Sequence, residues 1–356
     1  MRFRSAASEA FRNVGTRASR PILSFFLFVL GVGALMTFDM ASVRNIIDAA
    51  QRFSASGASV TIMYNEGAIS GSRCEGLSGA TGVRAAGAVT SEKGEFLTLL
   101  ALPSSTVPTR RATPGFAELL ARHTNTGSPG VVISRDVASA VGVTVGDTLA
   151  TDRGSIPVAG VYDYPHDGRI SGLGWAILII TPATGGFDEC WVDALDSQTP
   201  SAALLTTTTQ PNSSSTSKLG QLNSTLGASF DGRKQFLDRA THITPYAALL
   251  YAFVLGFISK YLRRLELASA LHAGMRKSAL AAQIILEETL WLIPASVALI
   301  TTAFTVAGTA NSADLIPILL TGARTMVVAS CGVLIGATAA VMITREKHLF
   351  TYFRSR

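Results

Sequence analysis

Few residues of this chain stand in patterns that could do chemistry. Gly274-Met275-Arg276-Lys277-Ser278 is the one stretch that looks like a phosphate loop. It lacks both the first glycine of G-x-x-x-x-G-K-S and the glycine directly before the lysine, and no strand precedes it. ATP binding by the chain on its own is therefore not expected. The five histidines, His123, His166, His242, His272 and His348, lack metal-ligand spacing. No G-x-S-x-G elbow supports a hydrolase. Asp163-Tyr164-Pro165-His166-Asp167-Gly168-Arg169 is rich in polar groups, but its Pro and Gly make it a strand-ending turn. No catalytic residue, metal ligand or cofactor site is assigned, and the chain is not expected to be an enzyme.

What remains is a basic, glycine-ended stretch: Arg263-Arg264-Leu265-Glu266-Leu267-Ala268, then Leu271, Gly274, Arg276 and Lys277. Leu265, Leu267 and Leu271 lie along one helical face, suited to a groove on a soluble partner. Gly274 ends or loosens that helix, and Arg276 and Lys277 begin the return. The same cations could serve only as membrane-surface anchors.

The elements that position this stretch follow from hydropathy. Only 15% of residues are charged and mean hydropathy is +0.35, too apolar for an ordinary soluble domain. Four runs, at 21–38, 246–258, 289–308 and 325–343, read as membrane helices, since about 20 residues at 1.5 Å each cross the hydrocarbon core. The first could be a signal peptide, but its long Arg-bearing lead and the absence of a clean small-x-small cleavage site favour a retained span. Lys and Arg concentrate before the first run, between the second and third, and after the fourth, which places those segments on the cytoplasmic side. The basic pI is thereby explained without nucleic acid. The expected order is an amphipathic surface helix at 1–20, whose arginines face anionic headgroups, then spans at 21–42, 242–262, 289–308 and 325–343. A cytoplasmic coupling segment occupies 263–288, a short outer loop 309–324 with Arg324 at the membrane boundary, and a cytoplasmic tail 344–356. Glu287 and Glu288, just before the third span, are read as solvated or at headgroup level. Pro294 is expected to kink that span.

Residues 43–241 form one extracytoplasmic α+β domain. Helix is expected to continue over 39–53, with strands at 59–64, 84–89, 95–101, 130–133, 156–162, 176–180 and 190–194, and short helices at 114–123 and 134–141. A Ser/Thr-rich stretch at 206–218 reads as a flexible loop. Of three cysteines, Cys331 falls in the fourth span as a small apolar residue. Cys74 and Cys190 share the oxidising side, where a disulfide is expected and two unpaired thiols are the alternative.

Several motifs, taken in order, resemble one family. They are Glu9-Ala10-Phe11-Arg12-Asn13 before the first span; Gly130-Val131-Val132-Ile133-Ser134, Val143-Thr144-Val145-Gly146-Asp147-Thr148-Leu149 and Ile156-Pro157-Val158-Ala159-Gly160-Val161-Tyr162 in the outward domain; and Arg263-Arg264-Leu265-Glu266-Leu267-Ala268 with Gly274 eight residues after Glu266. The pattern resembles the permeases of MacB- and FtsX-type (type VII) ABC transporters, departing from it at Leu271-His272-Ala273. The resemblance implies a permease in a bacterial plasma membrane, paired with a second copy as a homodimer. It also implies a separate cytoplasmic ATPase subunit that carries ATP and Mg and docks on Arg263, Arg264, Glu266, Leu267, Leu271, Gly274, Arg276 and Lys277. Movement would pass to the outward domain and export a hydrophobic compound or peptide. An FtsX-like regulator that activates a cell-wall hydrolase without transport is the alternative.

Overall fold

A computed structural model of the chain describes residues 21–91, 95–120, 130–194, 201–210, 216–308 and 312–345. The surface helix expected over 1–20, its motif at 9–13, His123 and most of the tail lie outside them.

The helices are α1 (Pro21–Ala55), α2 (Gly71–Gly76), α3 (Pro114–Leu120), α4 (Arg135–Val141), α5 (Ser201–Thr206), α6 (Gly232–Asp238), α7 (Thr244–Tyr261), α8 (Arg264–His272), α9 (Lys277–Ala307) and α10 (Ser312–Ile343). The strands are β1 (Val60–Ser70), β2 (Val83–Val89), β3 (Phe96–Thr98), β4 (Thr106–Ala112), β5 (Val131–Ser134), β6 (Thr148–Thr151), β7 (Gly154–Tyr162), β8 (Ile177–Ile180), β9 (Gly186–Ala194) and β10 (Lys218–Gln221). Two compact units result: Met1–Asp48 with Gly232–Arg356, and Ala49–Asp231.

In the helical unit, α1, α7 with the short turn before it, α9 and α10 are each long and apolar enough to cross a membrane. Every third or fourth residue of α1 faces inward: Phe28, Val32, Met36, Met40 and Val43 are buried with Trp291, Leu299 and Ala303 of α9. The Phe28 and Trp291 rings meet edge to face at 5.6 Å. Leu23, Phe26, Leu30 and Phe38, on the other side of α1, are exposed, as a lipid-facing surface requires.

Helices α7 and α10 approach through glycine. A Cβ on Gly256 would lie 2.3 Å from the Val333 carbonyl oxygen, one on Gly332 2.6 Å from that of Leu249, and one on Gly336 2.0 Å from that of Phe253. Small residues at such positions let membrane helices pack backbone to backbone, where lipid supplies no hydrophobic drive.

Two boundaries differ from the sequence reading. Residues 312–324, expected in an outer loop, belong to α10, which runs from Ser312. Pro317 lies inside it, more than a turn past Ser312, where its missing N–H removes one backbone bond without ending the helix, and Ile318 is fully buried. Likewise α9 starts at Lys277, twelve residues before the expected span at 289, because no helix breaker separates its polar first turns from the apolar run. Pro294 sits inside α9 without ending it.

The other unit is built on a mixed sheet with strand order β10-β1-β9-β2-β4-β8-β5-β7-β6, and β3 pairs with β4. Pairings β4–β8 and β5–β7 are parallel; the rest are antiparallel. Alternation along β9 splits the core between two faces. Trp191 packs with Ile62, Phe116 and Tyr162 on one, and Cys190 and Val192 pack with Met63, Cys74 and Phe187 on the other. Cys74 and Cys190 form a disulfide, with Cα atoms 5.9 Å apart. The free Cys331 is exposed on α10.

Strand β4 is absent from the sequence reading because Pro108, Arg110 and Arg111 break its apolar pattern. Inside the sheet Arg110 is buried and faces the Glu189 carboxylate at 3.7 Å. The polar strands β6 and β10 are missed for the same lack of alternation. The Ser/Thr stretch is not a loop throughout. Thr206 ends α5, Thr208 is fully buried, and the Ser70 and Gln210 N–H groups donate to the Thr208 and Ala68 carbonyls. Residues 211–215 lie outside the described chain.

Packing in both units yields tests. Gly336→Ala must push α7 and α10 apart, and about 1–3 kcal/mol of stability is expected to be lost, read as a lower midpoint of thermal unfolding. Glu189 is buried, which raises its pKa above the ordinary 4.5, although the Trp191 N–H (2.8 Å) and Arg110 pull the other way. A raised carboxyl contributes stability below its unfolded-state pKa and loses it as pH rises through the folded-state value. Glu189→Gln should therefore gain thermal stability relative to the parent as pH goes from about 4 to about 7, and a pH-independent difference would contradict this account.

Candidate coupling site

The basic stretch folds as a short helix between two membrane-length helices. Helix α7 ends at Tyr261, Arg263 leaves helical geometry, α8 runs from Arg264 to His272, and Arg276 is extended before α9 begins. Gly274 turns the chain with φ +87°, a left-handed conformation that side chains rarely adopt. The Gly274 N–H donates to Leu271 O (3.0 Å) and the Met275 N–H to Ala270 O (3.1 Å), satisfying carbonyls at the end of α8.

The structure divides the sequence-predicted residues by face. Leu267, Ala268 and Leu271 are buried, and the two leucines pack on Leu280 and Ile284 of α9 and on Ala337 and Val341 of α10. The apolar stripe expected to meet a partner is thus occupied by the chain's own helices, because a nine-residue helix has no stability of its own and must bury that stripe. Glu266, Ser269, His272, Arg276 and Lys277 are exposed. Arg264 is half-buried, its guanidinium 4.8 Å from the Tyr261 ring centre. Lys277 Nζ donates to Met342 O at 3.0 Å.

Beneath α8 lies a cluster of charges that the sequence reading did not assemble. Lys260, at the end of α7 and 2% exposed, places Nζ 3.2 Å from Glu287 Oε2 and 2.7 Å from Glu288 Oε1. Arg263 bridges outward: its Nη1 donates to Glu287 Oε2 at 3.0 Å and its Nε to Glu266 Oε2 at 2.9 Å. Trp291 Nε1 donates to Glu288 Oε2 at 2.7 Å. Two cations thus face two buried carboxylates. Glu287 and Glu288 are 2% and 1% exposed, not solvated at headgroup level as their place before the apolar run implied. The early start of α9 carries both inside the helix, facing α7. A lysine closing one apolar run and adjacent glutamates opening another are the signal that could have found the pair, since unpaired charges there would be expensive.

A second buried ion pair joins Arg239 Nε to Asp39 Oδ1 of α1 at 3.3 Å, with side chains 5% and 1% exposed. The sequence reading missed this pair too, because the partners are remote in the chain.

Other singled-out residues have structural surroundings. Asp147 Oδ2 accepts from the Thr144 N–H (2.7 Å) and hydroxyl (2.8 Å), which holds its pKa below the usual carboxylate value and pins the Gly146-Asp147 turn before β6. In the Asp163–Arg169 turn, Asp163 pairs with Arg135 and the Tyr164 hydroxyl donates to Ile170 O at 2.5 Å. Among the described residues no group of three His, Cys, Asp or Glu is placed to hold a metal ion.

Four membrane-length helices and a large α+β sheet unit define a membrane protein. The sequence matches no family model and no curated protein. Among solved structures it is similar to a domain of a putative permease protein from Porphyromonas gingivalis, at 17% identity and a TM-score of 0.34, over 47% of this chain and 92% of that one. A likeness at that TM-score assigns neither fold nor role to this chain.

The charge cluster gives a direct test. Lys260→Met leaves two buried carboxylates against Arg263 alone, and removing one partner of a buried pair typically costs about 3–5 kcal/mol. Lys260→Met combined with Glu288→Leu restores the balance between Arg263 and Glu287 and should recover most of the loss in thermal unfolding. Equal destabilisation by the single and double variants would show that the cluster is not charge-coupled.

Proposed function

We propose that this chain is the membrane permease subunit of an ABC-type complex, driven by a separate cytoplasmic ATPase and present as two copies. In this reading α8 is the coupling helix, and the surface it offers is its exposed polar face with the following turn: Glu266, Ser269, His272, Arg276 and Lys277. The observation that carries the proposal is the anchoring of α8. Its base is tied through Arg263 to the Lys260–Glu287–Glu288 cluster and its apolar stripe is buried on α9 and α10. A partner that displaced the exposed face would therefore pull on membrane helices through buried ionic and apolar contacts, not on a loose loop.

Three further features support the reading. The order of motifs resembles type VII permeases. Lys and Arg cluster at the α7–α9 connection, which the positive-inside rule assigns to the cytoplasm. The sheet unit, in sequence between α1 and α7, carries a disulfide, in keeping with an extracytoplasmic place in a bacterial plasma membrane. ATP and Mg belong to the partner, and the work delivered outside is export of a hydrophobic compound or peptide.

Two measurements test this. Purified chain alone should not turn over ATP, whereas the chain with its ATPase should show turnover stimulated by the permease. Ser269→Trp combined with Arg276→Glu, both exposed and outside the ionic cluster, should lower that stimulation by about tenfold, equivalent to about 1.4 kcal/mol of lost coupling, with an unchanged midpoint of thermal unfolding. Full stimulation by this variant would remove α8 as the docking element.

A further inference from the structure

The sheet unit contains a cavity of about 590 Å³ that the coupling reading does not use. Its walls come from the end of α1 (Ser54, Ala55), from α3, from β7 and the turn after it, and from Val60 and Leu222, all within Ala49–Asp231. Val60 and Leu222 are 3% and 2% exposed, so the floor is apolar core surface, extended by Leu119, Leu120 and Val161. A space of this size lies within the range of small-molecule sites, about 300–1,000 Å³.

The charges around it are already engaged. Arg135 pairs with Asp163. Arg169 donates from Nη2 to Ala55 O at 2.7 Å and from Nε to Ser56 O at 3.2 Å, and it also pairs with Asp167. Asp193 accepts from the Ser59 hydroxyl at 2.6 Å and from Arg84 at 2.7 Å. The Tyr162 hydroxyl donates to Leu173 O at 2.6 Å. An ionised ligand would thus lose water and meet only charges that already neutralise one another, which disfavours it. An apolar molecule would remove the partly exposed Leu119, Leu120 and Val161 and the exposed Val145 from water without breaking any of these bonds.

We propose that this cavity binds an uncharged, largely apolar small molecule. The inference rests on the permease reading only in making that molecule the cargo; the site itself does not depend on ATPase coupling. The bound molecule would touch the last turn of α1, whose carbonyls Arg169 caps, and α1 is the helix that begins as a membrane-length span at Pro21.

The test is photolabelling of the full chain in lipid nanodiscs with benzophenone, an uncharged apolar probe, followed by peptide mass spectrometry. It is done without ATPase or nucleotide, so failure of the coupling reading and failure of this site are separate outcomes. Saturable adducts are expected on the segments carrying Leu119, Val161 and Leu222. Ala55 and Val145 line the cavity and are both exposed, so Ala55→Trp and Val145→Trp fill it from the rim with little demand on the fold. Each should cut cavity adducts by about tenfold, the factor carried by losing most of one apolar wall. Adducts on membrane helices should stay constant as the internal control, as should thermal unfolding. The carboxylate analogue, 4-benzoylbenzoate, should label the cavity at about a tenth of the yield or less. Adducts confined to the membrane helices, undiminished cavity labelling in both Trp variants, or equal labelling by the carboxylate would overturn the proposal.

Discussion

Lys260 and Arg263 face Glu287 and Glu288 in a volume from which water is almost wholly excluded. None of these ions is cheap to bury alone, and their mutual attraction offsets desolvation only if every partner is in place. That condition constrains the rest of the helical unit. It fixes the end of α7 against the first half of α9 and sets where the chain leaves α7. It also holds the start of α8, because Arg263 reaches both the buried Glu287 and the exposed Glu266. The apolar side of α8 then has one place to go, onto Leu280, Ile284, Ala337 and Val341. A nine-residue helix that would not persist alone is thereby held between two membrane-length helices with its polar side exposed.

The same unit uses a different device where no charge is present. Helices α7 and α10 meet through Gly256, Gly332 and Gly336, each close to a carbonyl oxygen of the facing helix. Dispersion between backbones replaces the hydrophobic drive that lipid cannot provide. The glycine seam and the buried ionic cluster both involve α7, which is thereby held on two sides. The sheet unit is organised around β9 instead. Its alternating Cys190, Trp191 and Val192 serve both faces of the sheet, and the disulfide to Cys74 ties α2 to that central strand.

How much of this was legible in the sequence depended on whether the signal was local. Long apolar runs gave the four membrane-length helices, and short apolar or β-branched runs gave β1, β2, β5, β7 and β8 near their observed positions, because hydropathy and side-chain shape act over a few neighbours. Strand β4 was hidden by Pro108, Arg110 and Arg111, and the start of β9 by Asp188 and Glu189. These charges are tolerated in a sheet only because Arg110 and Glu189 face each other and Asp188 accepts from Ser91 and Gly67. The start of α10 was misplaced because Pro317 and Arg324 resemble loop residues, although α10 continues through Pro317 at the loss of one backbone bond and carries Arg324 exposed on its surface.

The basic stretch at 263–277 shows the division most clearly. From the sequence alone it was evident that cations and a glycine separate two apolar runs, that a short helix forms there and that Gly274 turns the chain. Local propensity and charge are enough for that. Which of its side chains face outward was not evident. Leu267 and Leu271 looked like the contact surface and are instead core, while Glu287 and Glu288 looked solvated and are instead buried. Both outcomes depend on partners far along the chain, Ala337 and Val341 in one case and Lys260 in the other, and the desolvation that decides them exists only once the helices have packed.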